Sequence, residues 1–247
     1  MTRGEERTYR LLNRQQDLKF FRVLVKETDL DIGISSNKFK DDLVETVRQK
    51  VLTVRRELEG FIETDGQFAR SLSPYSPPSS APEIALRMAK EAAKAGVGPM
   101  AAVAGAFSET VGRLLSLYSG EVIVENGGDI YLRSSKIRNI GVFAGSSPFS
   151  NRIALRVKPH QTPLGICTSS GTIGHSVSMG KADAVVVLAP SVPLADAVAT
   201  ASANLVKDVE DVQKAVEFAL SIPGVRGVLA IKGDKLAAAG DVEIKPK

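Results

Sequence analysis

The segment "ADAVATASANLV" (195–206) limits the fold more than any other stretch. It has helical length, and nearly every side chain is small, so another backbone must pack close against it. Asp196 and Thr200 stand four apart and share one face about a turn apart. A carboxylate and a hydroxyl there make half of a hard-cation site, suited to Mg²⁺ or Ca²⁺ and completed by carbonyls, water or phosphate. The same pair also reads as a first-turn cap and a core position with a satisfied hydroxyl.

The rest of the chain supplies strands and helices to pack around this segment. "RTYRLL" reads as a strand, and "KFFRVLVKETDLDIGIS" as a second, alternating through Phe21, Val23 and Val25 before Leu30, Ile32 and Ile34. A helix is expected over about 38–59, where Phe39, Leu43, Val47, Val51, Val54 and Leu58 form one apolar stripe. "SLSPYSPPSSAPE" (71–83), with four prolines and five serines, is the clearest loop. It leads into a helix to Ala95, with Ser80 as cap, Pro82 in the first turn and Glu83 three after the serine. A helix in "MAAVAGAFSETVGRLLSLYSG" precedes the strands "EVIVE" and "IYLR", which are joined at "NGGD". Strands are expected near 137–143, 152–158 and 184–189. Helices follow at about 193–206 and after Asp208, and a hairpin turns at Gly233-Asp234. Strands in mixed order with helices in pairs give an α+β fold rather than a βαβ series. The 247 residues, 43% hydrophobic, are read as one domain; the Pro/Ser-rich loop 71–83 is the place that could divide two intimate lobes.

Composition excludes several functions. One cysteine, Cys167, allows neither an internal disulfide nor a cysteine metal cluster. The charged N-terminus is not a signal peptide, and no run nears the ~20 apolar residues of a membrane span, so a cytoplasmic protein is expected. A net charge of +4 suits a phosphate-bearing small ligand. With scattered basic residues, no tryptophan and 5% aromatics, nucleic acid is not the expected partner.

Two further places combine glycine with polar groups. Asn126-Gly127-Gly128-Asp129 ends a buried strand, where glycines permit positive φ and close approach of a ligand; Asn-Gly is equally a hairpin signal. Thr168-Ser169-Ser170-Gly171, continuing to Gly174-His175-Ser176, gathers hydroxyls and amides suited to an anion, though solvated loops collect the same residues. Cys167, ending an apolar strand, reads as a small buried hydrophobe.

The order of "VAGAFSE" (103–109), "ENGGDIYL" (125–132), "CTSSGTIGHS" (167–176) and "ADAVATA" (195–201) resembles the ApbE-like family, Mg²⁺-dependent flavin transferases that use FAD. The resemblance spans roughly residues 97–220. It implies an ApbE-like fold with mixed or antiparallel sheets flanked by helices. It implies that Asp196 and Thr200 hold Mg²⁺ with a carbonyl near Val103. It also implies that Asn126, Gly127, Gly128 and Asp129, with Thr168, Ser169, Ser170 and Gly171, line a pocket for the flavin dinucleotide. His175 is the catalytic candidate. The family activity places FMN on a threonine of a partner protein and releases AMP, with the metal neutralising phosphate charge. Departures stand beside this: Ala104 occupies the family's lysine position, Glu109 stands for an aspartate, and "HSVSMGK" lacks the acid and proline of the family's histidine segment. They fit a divergent cytoplasmic branch found in methanogens and some bacteria and associated with sulfur assimilation toward homocysteine. The alternative is a non-catalytic accessory protein there, binding another metabolite or a metabolic-enzyme partner. A homodimer is favoured on general grounds.

Overall fold

The computed structural model describes Arg10 and residues 14–171 and 180–247. Eleven strands and six α-helices are described: β1 (Leu18–Val25), β2 (Thr28–Ser35), α1 (Asp42–Thr64), α2 (Gly66–Arg70), α3 (Glu83–Lys94), α4 (Val103–Leu115), β3 (Val122–Asn126), β4 (Asp129–Arg133), β5 (Arg138–Gly141), β6 (Ile153–Val157), β7 (Leu164–Ser169), β8 (Ala184–Ala189), α5 (Val192–Leu205), α6 (Val212–Ser221), β9 (Gly227–Lys232), β10 (Lys235–Gly240) and β11 (Ile244–Pro246). Eight strands form one sheet in the order β1-β2-β3-β4-β7-β8-β9-β10, and β11-β6-β5 form a second. Every pairing is antiparallel.

The period of two along the strands explains the layering. Val122, Val124, Tyr131, Cys167, Val185, Val187, Val228 and Ala230 turn one face of the large sheet to the helices. Ile123, Ile130, Leu132, Ile166, Val186, Leu188, Leu229 and Ile231 turn the other to Ile140, Leu155 and Val157 of the small sheet. A sheet covered on both faces needs unbroken apolar strands, and "AVVVLA" of β8 is buried at all six positions. In α1 the stripe Leu43, Val47, Val51, Val54 and Leu58 is buried as its spacing requires. The α+β class and its antiparallel sheets stand as expected.

Three local expectations change, and one strand runs further than expected. The run from Lys19 to Ser35 is a hairpin, Val25 pairing with Thr28 across a turn in which Lys26 takes φ 51°. Ser80 does not cap α3: the helix begins at Glu83 with Pro82 before it and no side-chain cap bond. The apolar strand expected to end at Cys167 is present as β7, Leu164–Ser169, paired on both sides and running on through Thr168 and Ser169. Of the strand expected over "RTYRLL", only Arg10 lies among the described residues, and it is not in a strand.

Two charged clusters pin the layers. Arg138 gives 2.6 and 2.9 Å hydrogen bonds to Asp17 and a 2.6 Å bond to Glu121, joining β5 to the start of β3. Arg10 is buried, its Nε 2.6 Å from Glu125 Oε2 and its Nη1 3.1 Å from Asp29 Oδ1; Arg14 pairs with Asp31. The described arginines of the N-terminal basic stretch are thus spent on the protein's own acids. Among the described residues no helix is long and apolar enough to cross a membrane.

Candidate functional site

Helices α4 and α5 meet head to head and antiparallel. Each begins without a local cap: Ala102 before α4 has no side-chain acceptor, and Ser191 before α5 makes no cap bond, its Oγ buried without a partner. Exposed first-turn amides need acceptors. Each helix takes one from the other. Asp196 Oδ2 of α5 accepts Gly105 N of α4 at 2.8 Å, and Glu109 Oε2 of α4 accepts Val192 N of α5 at 2.9 Å. The approach is close enough that a Cβ on Gly105 would lie 2.7 Å from Val192 O and 2.9 Å from Asp196 Cβ. That explains the small side chains of 195–206. Asp196 caps a first turn, but the turn belongs to α4 rather than to its own helix.

The first turn of α4 is also stitched to the β3–β4 turn. Asn126 Nδ2 donates to Ala104 O at 3.2 Å, while Ser108 Oγ lies 3.0 Å from Ala104 O and 2.8 Å from Asp129 O. Gly127 and Gly128 take φ 67° and 106°, the left-handed region that favours glycine. Beneath them Glu125 Oε1 accepts Gly128 N at 2.8 Å while its Oε2 holds Arg10. Gly127-Gly128 is therefore the two-residue loop of a hairpin, closed by the pair Asn126 and Asp129. Across the sheet Asp129 pairs with Cys167, and Thr168 N donates to Gly128 O at 3.2 Å.

Three of the four sequence segments thus converge with α4 on one spot. Asp129 and Asp196 are both buried, and neither is paired with a lysine or arginine among the described residues. Burial pushes the Asp196 carboxyl up against the hydrogen bonds from the Gly105 and Ala104 amides. Burial first, and then the charge of Asp196, raise Asp129 well above the usual carboxylate range. Cys167, fully buried with its Sγ 3.4 Å from Val192 O, is raised by burial and by these two acids. Such a pair gains from any cation that lets both carboxyls ionise. Among the described residues no three His, Cys, Asp or Glu side chains gather as a metal cluster. The donor set is oxygen-rich and fits a hard cation completed by hydroxyls, carbonyls, water or ligand oxygens.

The remaining sequence candidates are placed as follows. Thr200, partly exposed, stands one turn beyond Asp196 on α5, and Val103, also partly exposed, is the first residue of α4. Ser169 closes β7. Ser170 Oγ lies 3.4 Å from Ala182 O and Gly171 N donates to the same carbonyl at 3.0 Å, so the strand's exit is held to the segment before β8. His175 lies outside the described residues. Sequence reading set Glu109 aside as a family departure; it is 1% exposed and holds Arg87, Arg113 and the α5 amide. An acid in the apolar face of a helix was the available signal.

Comparison with known proteins accords with this geometry. A family model described as AbpE bacteria matches residues 10–236. A UPF0280 protein of Methanocella arvoryzae is 44% identical over 191 residues, covering 77% of this chain and 78% of that one. A UPF0280 protein of Methanococcus maripaludis is 36% identical over 232 residues, covering 91% and 92%. The flavinyl transferase ApbE of Pseudomonas stutzeri is similar in structure with a TM-score of 0.60 at 14% identity, covering 90% of this chain and 94% of that one. The ApbE protein of Thermotoga maritima gives 0.57 at 14%, covering 90% and 97%. At such identity the solved structures establish the fold alone. The family match and the methanogen relatives carry the rest: the chain belongs to the family described as AbpE bacteria, a divergent branch built on the ApbE fold.

Proposed function

We propose that the chain binds a flavin dinucleotide where α4, the β3–β4 turn, the end of β7 and α5 meet, and that it does so with Mg²⁺. The observation that carries this reading is the buried pair Asp129 and Asp196, with no lysine or arginine partner among the described residues, beside a Gly-Gly turn and two helix N-termini. Asp196 and Thr200 would hold the metal with a carbonyl from the first turn of α4, at Val103. Mg²⁺ supplies neutralisation of the charge that develops on a phosphate under attack. Asn126, Gly127, Gly128 and Asp129 would face one side of the dinucleotide, and Thr168, Ser169, Ser170 and Gly171 the other, through amides and hydroxyls. His175 is the candidate to take the proton. In the transfer, an acceptor hydroxyl on a partner protein forms the new bond to the FMN phosphorus, the bond to AMP breaks, and the hydroxyl proton leaves to a base.

Flavin fluorescence of FAD mixed with the purified protein, with and without Mg²⁺, tests the proposal. FAD is dim because its adenine stacks on the ring, so cleavage brightens it. A Mg²⁺-dependent rise with AMP appearing, lost in Asp196→Ala, is the expected result. No flavin bound under any condition overturns it.

A second reading is that of a non-catalytic accessory protein in cytoplasmic sulfur metabolism, binding another metabolite or a metabolic enzyme. It is favoured by Asp196 already having a task as the α4 cap and by Ala104 offering no cation to a phosphate. A native pull-down that recovers a metabolic enzyme without flavin turnover would select it. A homodimer is expected in either case, and sedimentation would read it.

A further inference from the structure

The geometry points to Glu109 as the positioning residue of this site: it sets where Asp196 and Thr200 stand relative to the first turn of α4. The metal part of this role rests on the function proposed above. Asp196 and Glu109 make two rungs between antiparallel helices, Gly105 with Asp196 and Val192 with Glu109, each rung a carboxylate on the other helix's N-terminal amide. A single rung would let α5 slide or pivot about it; two fix the helix along its axis. Glu109 is itself held from the far side, its Oε1 taking Arg87 Nη2 and, at 2.7 Å, Arg113 Nε. Arg87 comes from α3, so three helices meet on one buried carboxylate. Nothing local substitutes for it, because the Ser191 hydroxyl does not cap α5. Residues 103–104 of α4 and 196–200 of α5 are the two halves of the proposed cation site, and Glu109 keeps them facing each other without reaching a ligand itself.

Amide hydrogen exchange on the ligand-free protein tests the coupling. Glu109→Ala is expected to speed exchange not only at Val192, whose acceptor is removed, but also at Gly105, whose acceptor Asp196 is untouched, by about tenfold. Glu109→Gln keeps an oxygen for Val192 N but turns an amide NH2 toward Arg87 and Arg113, so exchange at both amides should fall between wild type and Glu109→Ala. Val111→Ala, a buried α4 truncation of comparable cost, should leave the ratio of Gly105 to global exchange unchanged. Calorimetry with Mg²⁺ alone is expected to show about tenfold weaker binding in folded Glu109→Ala and a smaller loss in Glu109→Gln. Gly105 exchange unaltered in Glu109→Ala overturns the proposal whatever the metal result, and so does Glu109→Ala binding Mg²⁺ as wild type does. Wild-type protein that takes up no Mg²⁺ overturns instead the function proposed above, and the exchange result still decides the coupling.

Discussion

Replacing Gly105 by alanine probes the α4–α5 crossing without touching either acid. The new Cβ would stand 2.7 Å from Val192 O and 2.9 Å from Asp196 Cβ, both in a neighbouring helix that cannot swing away as a side chain would. To restore ordinary contact the helices must part by roughly 0.7 Å. That stretches the 2.8 Å bond from Gly105 N to Asp196 Oδ2 toward ~3.5 Å, where it no longer counts as a hydrogen bond. Overpacking costs about 1–3 kcal/mol and the weakened bond to a charged acceptor about 1.5–3 kcal/mol at most. Alanine returns about 1 kcal/mol of helix propensity. The balance is a loss of roughly 1.5–5 kcal/mol, or about 3–20 °C in Tm for a chain of this size. Gly60→Ala is the matched control: it lies within α1, is exposed, and its added Cβ meets nothing within 4 Å. It should gain about 0.5–1 kcal/mol. Urea unfolding followed by circular dichroism reads both variants. If Gly105→Ala is as stable as wild type, the crossing is not closely packed and the rung argument for Glu109 loses its footing.

Two further predictions concern ionisation. At Glu121 burial opposes ionisation, but hydrogen bonds from Ser134, Ser135 and Arg138 outweigh it and hold its pKa down to about 2, and Arg138 also holds Asp17 below its ordinary range. Carboxyls lowered on folding stabilise fully above their unfolded pKa values, near ~4, and lose that contribution as pH falls toward the folded ones. The gap in urea midpoint between wild type and Arg138→Met should therefore narrow from pH 5 to pH 2.5; a constant gap would refute the assignment. The single thiol, Cys167, is 0% exposed and its pKa is raised by burial and by Asp129 and Asp196. It should resist a disulfide reagent at pH 8 in the native protein and react on unfolding; rapid native labelling would mean that the α5 end of the site opens.

What could be read in the sequence follows how far apart the causes lie. The stripe of α1, the run "AVVVLA" of β8 and the Gly233-Asp234 hairpin are set by neighbours within a few residues, and each lies where its period places it. The β1–β2 turn was hidden because Lys26-Glu27 carries no glycine or asparagine, and Lys26 takes its positive φ unmarked. The apolar strand ending at Cys167 was legible, but its continuation as β7 through Thr168-Ser169 was not, because those residues are polar and read as loop. The site is harder still. Motif order placed Asn126–Asp129, Thr168 and Asp196 in one neighbourhood, but the hydrogen bonds that organise them span 91 and 83 residues. No local pattern announces that two helices lacking caps of their own will cap each other.

This leaves Asp196 with two explanations, a cap on α4 and a metal ligand, and its removal cannot separate them. Asp196→Ala would release the Gly105 amide and any cation together. Thr200 separates them. It stands one turn farther along α5, partly exposed and outside both capping rungs, so the packing of the crossing gives no reason for a hydroxyl there. Thr200→Val keeps the β-branched shape and replaces the hydroxyl with a methyl group. If α5 is a packing helix alone, the variant should unfold within about 0.5 kcal/mol of wild type and bind whatever the protein binds unchanged. If the acid and hydroxyl form half of a hard-cation site, stability should again stay put while Mg²⁺ binding weakens by about tenfold, since one oxygen of a small donor set is gone. Magnesium affinity measured on folded Thr200→Val decides whether α5 is only packed against α4 or is also built to hold a metal.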